Sequence, residues 1–318
     1  MKDLPSRRNA YLALAAVCLF WGTTYLGIRI SLEGLPPLYL IGIRYSISGG
    51  LLLIAARIAG AHLPRGRELI MTAICGVICI GIGNSFLAIA EEWIPSGLAA
   101  LFYTTCPFWM VGMDALLPGG RKPLTSTLGG LMVGLVGVVS LILPAAVREG
   151  IGGHTLAGFL ILQLSAAGWV AGALLQKRVK ARSFPLVSGA VQQLAAGLAT
   201  LVPAAAFEKL PHSIPLRPGL AVAYLVIFGS IVGFSCFIYC MSRLPVPVVS
   251  IYTFANPVVA VFLGWLFFRE PFGYREFVAM VIIFLGIALV RWSESAKRMR
   301  SDRKMETAQE VGVGGPYS

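Results

Sequence analysis

Ten apolar stretches, most about twenty residues long, run the length of the chain: 11–30, 38–57, 69–90, 96–117 and 126–143, then 156–176, 185–207, 220–242, 246–268 and 274–291. The hydrocarbon core of a bilayer is about 30 Å thick, and about 20 helical residues cross it. Only a helix or a closed barrel satisfies every backbone N–H and C=O there without water. Runs of this length, repeated, predict an all-α polytopic membrane protein. Apolar residues make up 57% of the 318 and charged residues 13%, which overrides the two soluble domains that length alone suggests. Lys2, Arg7 and Arg8 before the first run imitate a secretory leader. With nine further spans behind them, an uncleaved first helix is expected.

The second constraint is internal repetition. The stretch 95–107, bounded by prolines, returns as 245–257, with Ala100 in step with Ser250, Leu101 with Ile251 and Phe102 with Tyr252. Trp21 pairs with Trp169, Arg29 with Lys177, Gly83 with Gly233 and Gly137 with Gly286, all at offsets of 148 to 150. A weak similarity that keeps one offset across most of a chain marks a duplication. The unit has five spans, an odd number, so the second copy enters the membrane upside down. The expected organisation is a cytoplasmic N-terminus (1–10), a first five-helix repeat (11–143), a linker (144–155), an inverted second five-helix repeat (156–291) and a disordered cytoplasmic tail (292–318). Inverted repeats recur in secondary transporters, where they hold a solute site near the midplane.

Charge sets the orientation. With the N-terminus in the cytoplasm, 19 Lys and Arg lie on that side and five on the other, namely Arg148, Lys209, Arg217, Arg269 and Arg275. That bias places both termini in the cytoplasm, in a multi-pass protein of the cytoplasmic membrane. The net charge of +12 is therefore orientational, and nucleic acid is not an expected partner, because no folded basic surface is left to bind it. Membrane lipid is. Cys18, Cys75, Cys79, Cys106, Cys236 and Cys240 all fall inside apolar runs with no His or carboxylate beside them, so neither disulfides nor a metal site is expected.

Several motifs carry a family resemblance. Phe20-Trp21-Gly22-Thr23-Thr24-Tyr25 resembles the Trp-Gly-small opening of EamA-type proteins of the drug/metabolite transporter superfamily, and Pro36-Pro37 followed by Arg44-Tyr45 is similar to that family's opening of helix 2. Asn256-Pro257 and then Phe268-Arg269-Glu270-Pro271 resemble the motif that closes each repeat. The first repeat departs from it: residues 118–123 carry no Glu where the second repeat has Glu270. The resemblance implies ten helices in two inverted repeats around a cavity lined by helices 1, 3, 4, 6, 8 and 9, and the export or exchange of small metabolites such as amino acids.

Candidate substrate-binding residues are those that bring aromatic or polar groups to mid-depth on those helices. They are Trp21 and Tyr25, one turn apart on helix 1, Asn84, Tyr103 and Thr104, Trp169, Tyr239 (with Ser235), and Tyr252 and Asn256, one turn apart on helix 9. Pro107 and Pro257 fall in mid-span and are expected to kink their helices. Arg44 lies about two turns inside helix 2, where a charge costs about 2.5–3.5 kcal/mol. It is open to two readings: an ion pair or solute contact in the cavity, or a structural side chain that snorkels outward or bonds helix-end carbonyls. Gly130 and Gly134, like Gly229 and Gly233, have the spacing of close helix contacts, though glycine is common in any membrane helix.

No Asp or Glu stands near the middle of a span, and His62, His154 and His212 lie in loops, so no carboxylate-to-His relay is visible. No Walker-type phosphate loop is present, so ATP is not the direct fuel, and no cofactor is expected. The spans supply no nucleophile–base pair, so the chain is not read as an enzyme. The expectation is a secondary transporter that exports or exchanges its solute by alternating access; the alternatives are a channel and a membrane-embedded enzyme.

Overall fold

The structure is a computed structural model that describes residues 4–118, 125–149, 153–179, 183–244, 246–249, 251–270, 272–290 and 292. Among these, regular structure is helical throughout. The first rod is α1 (Leu4–Gly22) and α2 (Thr24–Ser31), broken at Thr23, and α3 (Pro37–Ile58) follows it. Next come α4 (Gly66–Gly76), a π-helical segment (Val77–Ile82) and α5 (Gly83–Glu91) in one rod. After it stand α6 (Ser96–Tyr103), α7 (Cys106–Leu116) and α8 (Thr125–Glu149). The second half has α9 (His154–Gln176) and α10 (Pro185–Phe207), then a rod of α11 (Leu216–Tyr224), a second π-helical segment (Leu225–Val232) and α12 (Gly233–Arg243). It ends with α13 (Val246–Val249), α14 (Tyr252–Phe268) and α15 over 274–290.

Local chemistry explains the starts and breaks. Pro37 and Pro185 occupy first helical positions, where a missing N–H costs nothing. The free N–H groups of Leu38 and Tyr39 donate to the Glu208 carboxylate at 2.9 and 3.0 Å, and Ser183 N, just ahead of α10, donates to Glu68 at 3.0 Å. At the breaks, threonines satisfy the carbonyls that an interrupted helix releases. Thr23 and Thr24 donate to Phe20 and Trp21 carbonyls at 2.8 and 2.6 Å, and Thr104 and Thr105 to Leu101 and Phe102 at 2.5 and 2.9 Å.

Among the described residues, seven helical stretches are long and apolar enough to cross a membrane. The other three expected spans are shorter for identifiable reasons. The run 96–117 is split at Thr104 and Thr105 into α6 and α7, and α14 has 17 residues. The described part of α15 covers 274–290. Outward faces carry bare apolar side chains such as Leu12, Ile58, Leu128, Leu198 and Phe262, as lipid-facing surfaces do.

Pairing between helices is matched across the two halves: α1 packs on α12 and α14, and α9 packs on α5 and α7. Between them α3 and α10 pack along their length, because Gly49 and Gly197 let the backbones touch. A Cβ on Gly49 would strike the main chain of Leu194, and one on Gly197 that of Ser46. The expected glycine pairs are contact points as well. A Cβ on Gly130 would lie 2.7 Å from Val290 N on α15, and one on Gly233 would lie 2.7 Å from Trp21 Nε1.

Some boundaries differ from expectation. The first helix begins at Leu4, inside the stretch expected as a free N-terminus. α8 continues through Pro144 to Glu149, taking up half of the expected linker, because a Pro inside a helix removes one hydrogen bond without ending it. Pro107 is the second residue of α7 and so starts a helix, while α14 is unbroken through Pro257. Arg121, Lys122, Pro245, Ser250 and the tail beyond 292 lie outside the described residues.

Candidate functional site

The centre of the bundle is polar. Arg44 is 3% exposed, its Nε donates to Ser230 Oγ at 2.9 Å, and its guanidinium stands 4.7 Å over the Tyr45 ring. It therefore does not snorkel outward. Its partner is a hydroxyl on the π-helical segment of the opposite half, and its Nη1 has no hydrogen-bond partner. Gly229 makes room for it: a Cβ there would lie 3.0 Å from Arg44 Nη2. Next to it Tyr45 donates to Asn84 Oδ1 at 3.1 Å, and Asn84 Nδ2 donates to Ile80 O at 3.2 Å. Ser48 donates to Gln193 Oε1 at 2.6 Å.

The helix 1 and helix 9 candidates meet. The Trp21 indole N–H donates to the Gly229 carbonyl at 3.1 Å, and its ring stands edge-on to Tyr252 with centroids 5.1 Å apart. Phe237 closes the group at 5.1 Å from Trp21 and 5.7 Å from Tyr252. Asn256, its amide assigned so that nitrogen donates, bonds the Cys18 and Tyr252 carbonyls at 3.2 and 3.0 Å. In the first half Tyr103 packs against the main apolar core, and Ser165 of α9 donates to the Gly83 carbonyl at 2.5 Å. Tyr25 is buried in that same core.

Other candidates are placed differently. The Thr104 hydroxyl is spent on its own helix, and Trp169 packs against the main apolar core. Tyr239 belongs to a separate cluster with Ala10 and Cys240, under the Arg243 guanidinium at 5.7 Å.

Sequence reasoning noted Glu270 only as part of a motif and missed the other glutamate and the glutamines that organise this interior. Gln163 accepts from Thr105 Oγ1 and Trp109 Nε1, both at 3.0 Å. Glu270 binds the start of α6: Oε1 accepts from Ser96 N at 2.7 Å and Ser96 Oγ at 2.9 Å, and Oε2 accepts from Gly97 N at 2.9 Å. Glu91 is fully buried, and neither carboxylate oxygen has a hydrogen-bond partner. A signal for Glu91 was present. Gly83, Leu87 and Glu91 recur every four residues on a buried face that also holds Asn84 and Ala88, whereas Glu92 falls on the exposed one.

Helices that shed apolar side chains toward lipid and gather arginine, glutamate, amides and tyrosines inside belong to membrane proteins that move polar solutes. The chain belongs to the EamA-like transporter family, which matches it over residues 8–143 and again over 156–292. It is a multi-pass membrane transporter. It is 32% identical over 284 residues to the uncharacterized inner membrane transporter YedA of Escherichia coli K12, covering 87% of this chain and 89% of that one. It is also 26% identical over 273 residues to a probable terminal-alkyne amino-acid exporter of Streptantibioticus cattleyicolor, covering 82% and 86%. A solved crystal structure aligns over 88% of this chain and 96% of its own with a TM-score of 0.63 at 23% identity, a likeness of fold.

Proposed function

We propose that this chain is a secondary transporter that exports or exchanges small amphipathic metabolites, of which amino acids are the leading class. It crosses the cytoplasmic membrane ten times as two inverted five-helix repeats, with both termini in the cytoplasm, and works by alternating access. The observation that carries this reading is the matched placement of irregular helix. The π-helical segments begin at Val77 and Leu225, 148 positions apart, each in the rod that packs against the first helix of the other half. π-Turns loosen a helix at functional positions, and two related ones, one in each half, give a bundle two equivalent ways to open. The solute class is supported by the polar centre between them and by the exporter named among the relatives.

The solute contacts proposed are Trp21, Tyr25, Tyr103, Tyr252 and Asn256, with Arg44 as the cation nearest the centre. Metabolite profiling of medium and cytosol, with the protein deleted and overproduced, tests the reading when followed by flux of the leading solute in proteoliposomes. Saturable flux stimulated by unlabelled solute on the far side is expected. A flux that rises linearly with concentration and ignores the far side would mark a channel instead.

A further inference from the structure

Glu91 ends α5 with 0% exposure, and neither of its carboxylate oxygens has a hydrogen-bond partner. The adjacent cation does not supply one: Arg29 donates to the main-chain carbonyl of Glu91, not to its carboxylate. Arg44, equally enclosed, has an unpartnered Nη1 and is electrostatically coupled to Glu91. The ionisable groups that act electrostatically on the carboxylate are Glu270 beyond α14, Arg29 and Tyr25 from α2, and Arg44 from α3. The titratable residue of α9, His154, sits against Trp93 with ring centroids 6.2 Å apart.

An ionised carboxylate taken out of water without donors costs several kcal/mol, and the neutral acid far less. Enclosed as it is here, the group is therefore stable holding a proton. Once the same carboxylate faces water or an approaching cation, it is stable without one. Arg44 Nη1 and an ionised Glu91 then offer a donor and an acceptor, a pair that the carboxylate and ammonium of a zwitterion satisfy.

We propose that Glu91 is a proton-binding site through which this transporter exchanges protons for a zwitterionic solute. The acid releases its proton to water on the side to which the site is open, and the solute ammonium takes its place on the same oxygens. Proton and solute compete for one group, so each reorientation carries one or the other. This supplies coupling without the relay of carboxylates and histidines that the sequence lacks. It rests on the transporter reading above and adds the coupling ion and the charge type of the solute.

The test uses the full chain in lipid. Infrared difference spectra across pH report the protonated-carboxyl C=O band without any solute. The second arm is uptake of a labelled mixture of the twenty amino acids into proteoliposomes under an imposed pH gradient. The wild type is expected to show a titrating band that Glu91→Gln abolishes and Glu91→Asp shifts but keeps. Uptake driven by the gradient is expected to disappear in Glu91→Gln and return in part in Glu91→Asp. A band unchanged by Glu91→Gln in well-folded protein would overturn the proton site. A band that titrates with uptake indifferent to the gradient would overturn the coupling. Absence of all amino-acid flux in the wild type would count against the solute class instead, and the infrared arm would still decide the proton site.

Discussion

Glu270, 174 positions after Ser96, closes the N-terminus of α6 by accepting from both the amide and the hydroxyl of that serine. The chain reaches this contact by leaving α14 through Arg269 in the left-handed conformation, φ 51°. The carboxylate stands where the positive end of a helix dipole needs an anion. The family motif that ends the second repeat is thus a bolt between the halves. The first repeat lacks the glutamate, and at the positions equivalent to Ser96 and Gly97 the second repeat has Val246 and Pro247, which supply neither the hydroxyl nor the second N–H.

Replacing Glu270 by Ala should cost about 1–3 kcal/mol, since it strips a charged acceptor from three donors. Thermal unfolding in detergent checks this. Glu270→Gln should recover part of the loss, and an unchanged midpoint for the Ala variant would show that the cap is not stabilising.

Gly49 and Gly50 are neighbours with opposite surroundings. A Cβ on Gly49 meets the backbone of α10, while one on Gly50 meets nothing within 4 Å. Gly49→Ala should destabilise by about 1–3 kcal/mol through overpacking, and Gly50→Ala should be neutral or stabilise by up to about 1 kcal/mol. The same unfolding assay compares them, and equal effects would refute the tight α3–α10 contact as the cause.

Arg44→Lys should keep the protein in the membrane but lose transport, because a flexible ammonium cannot reproduce both the Ser230 bond and a free planar donor. Arg44→Ala, which empties a buried site, should also lower abundance severalfold. Full transport by the Lys variant would remove Arg44 from the solute path.

Tyr252→Ala should reduce transport at normal membrane abundance by loosening Trp21 and Phe237, and Tyr252→Phe should retain the packing and most of the stability. Flux normalised to protein quantity separates the two. An unaffected Tyr252→Ala would show that this aromatic group only fills space.

The membrane class was legible because apolar runs of crossing length have few other uses, and the close helix contacts were legible in glycine spacing. Trp21 with Tyr25, and Tyr252 with Asn256, were legible as pairs because one-turn spacing puts residues on one face, but the contact between the Trp21 and Tyr252 rings joins two helices distant in sequence. The breaks were harder. Thr104 read as polar lining, whereas its hydroxyl, like that of Thr105, returns to a carbonyl of α6. Arg44 could not be placed, because its Ser230 partner is 186 residues away. Glu91 escaped because depth in a span was judged by distance from the span's end, while burial there is set by neighbouring helices that the sequence does not display.

Alternating access between the two halves requires that they be antiparallel, and two loop positions 150 apart test that directly. His62 and His212 are both exposed, the first after α3 and the second after α10. In a variant with the six native cysteines replaced, His62→Cys and His212→Cys are labelled in intact cells with a membrane-impermeant maleimide, before and after permeabilisation. Inverted repeats predict that position 212 reacts at once and position 62 only after permeabilisation. Labelling of both positions from the same side would contradict the inversion and the alternating-access mechanism built on it.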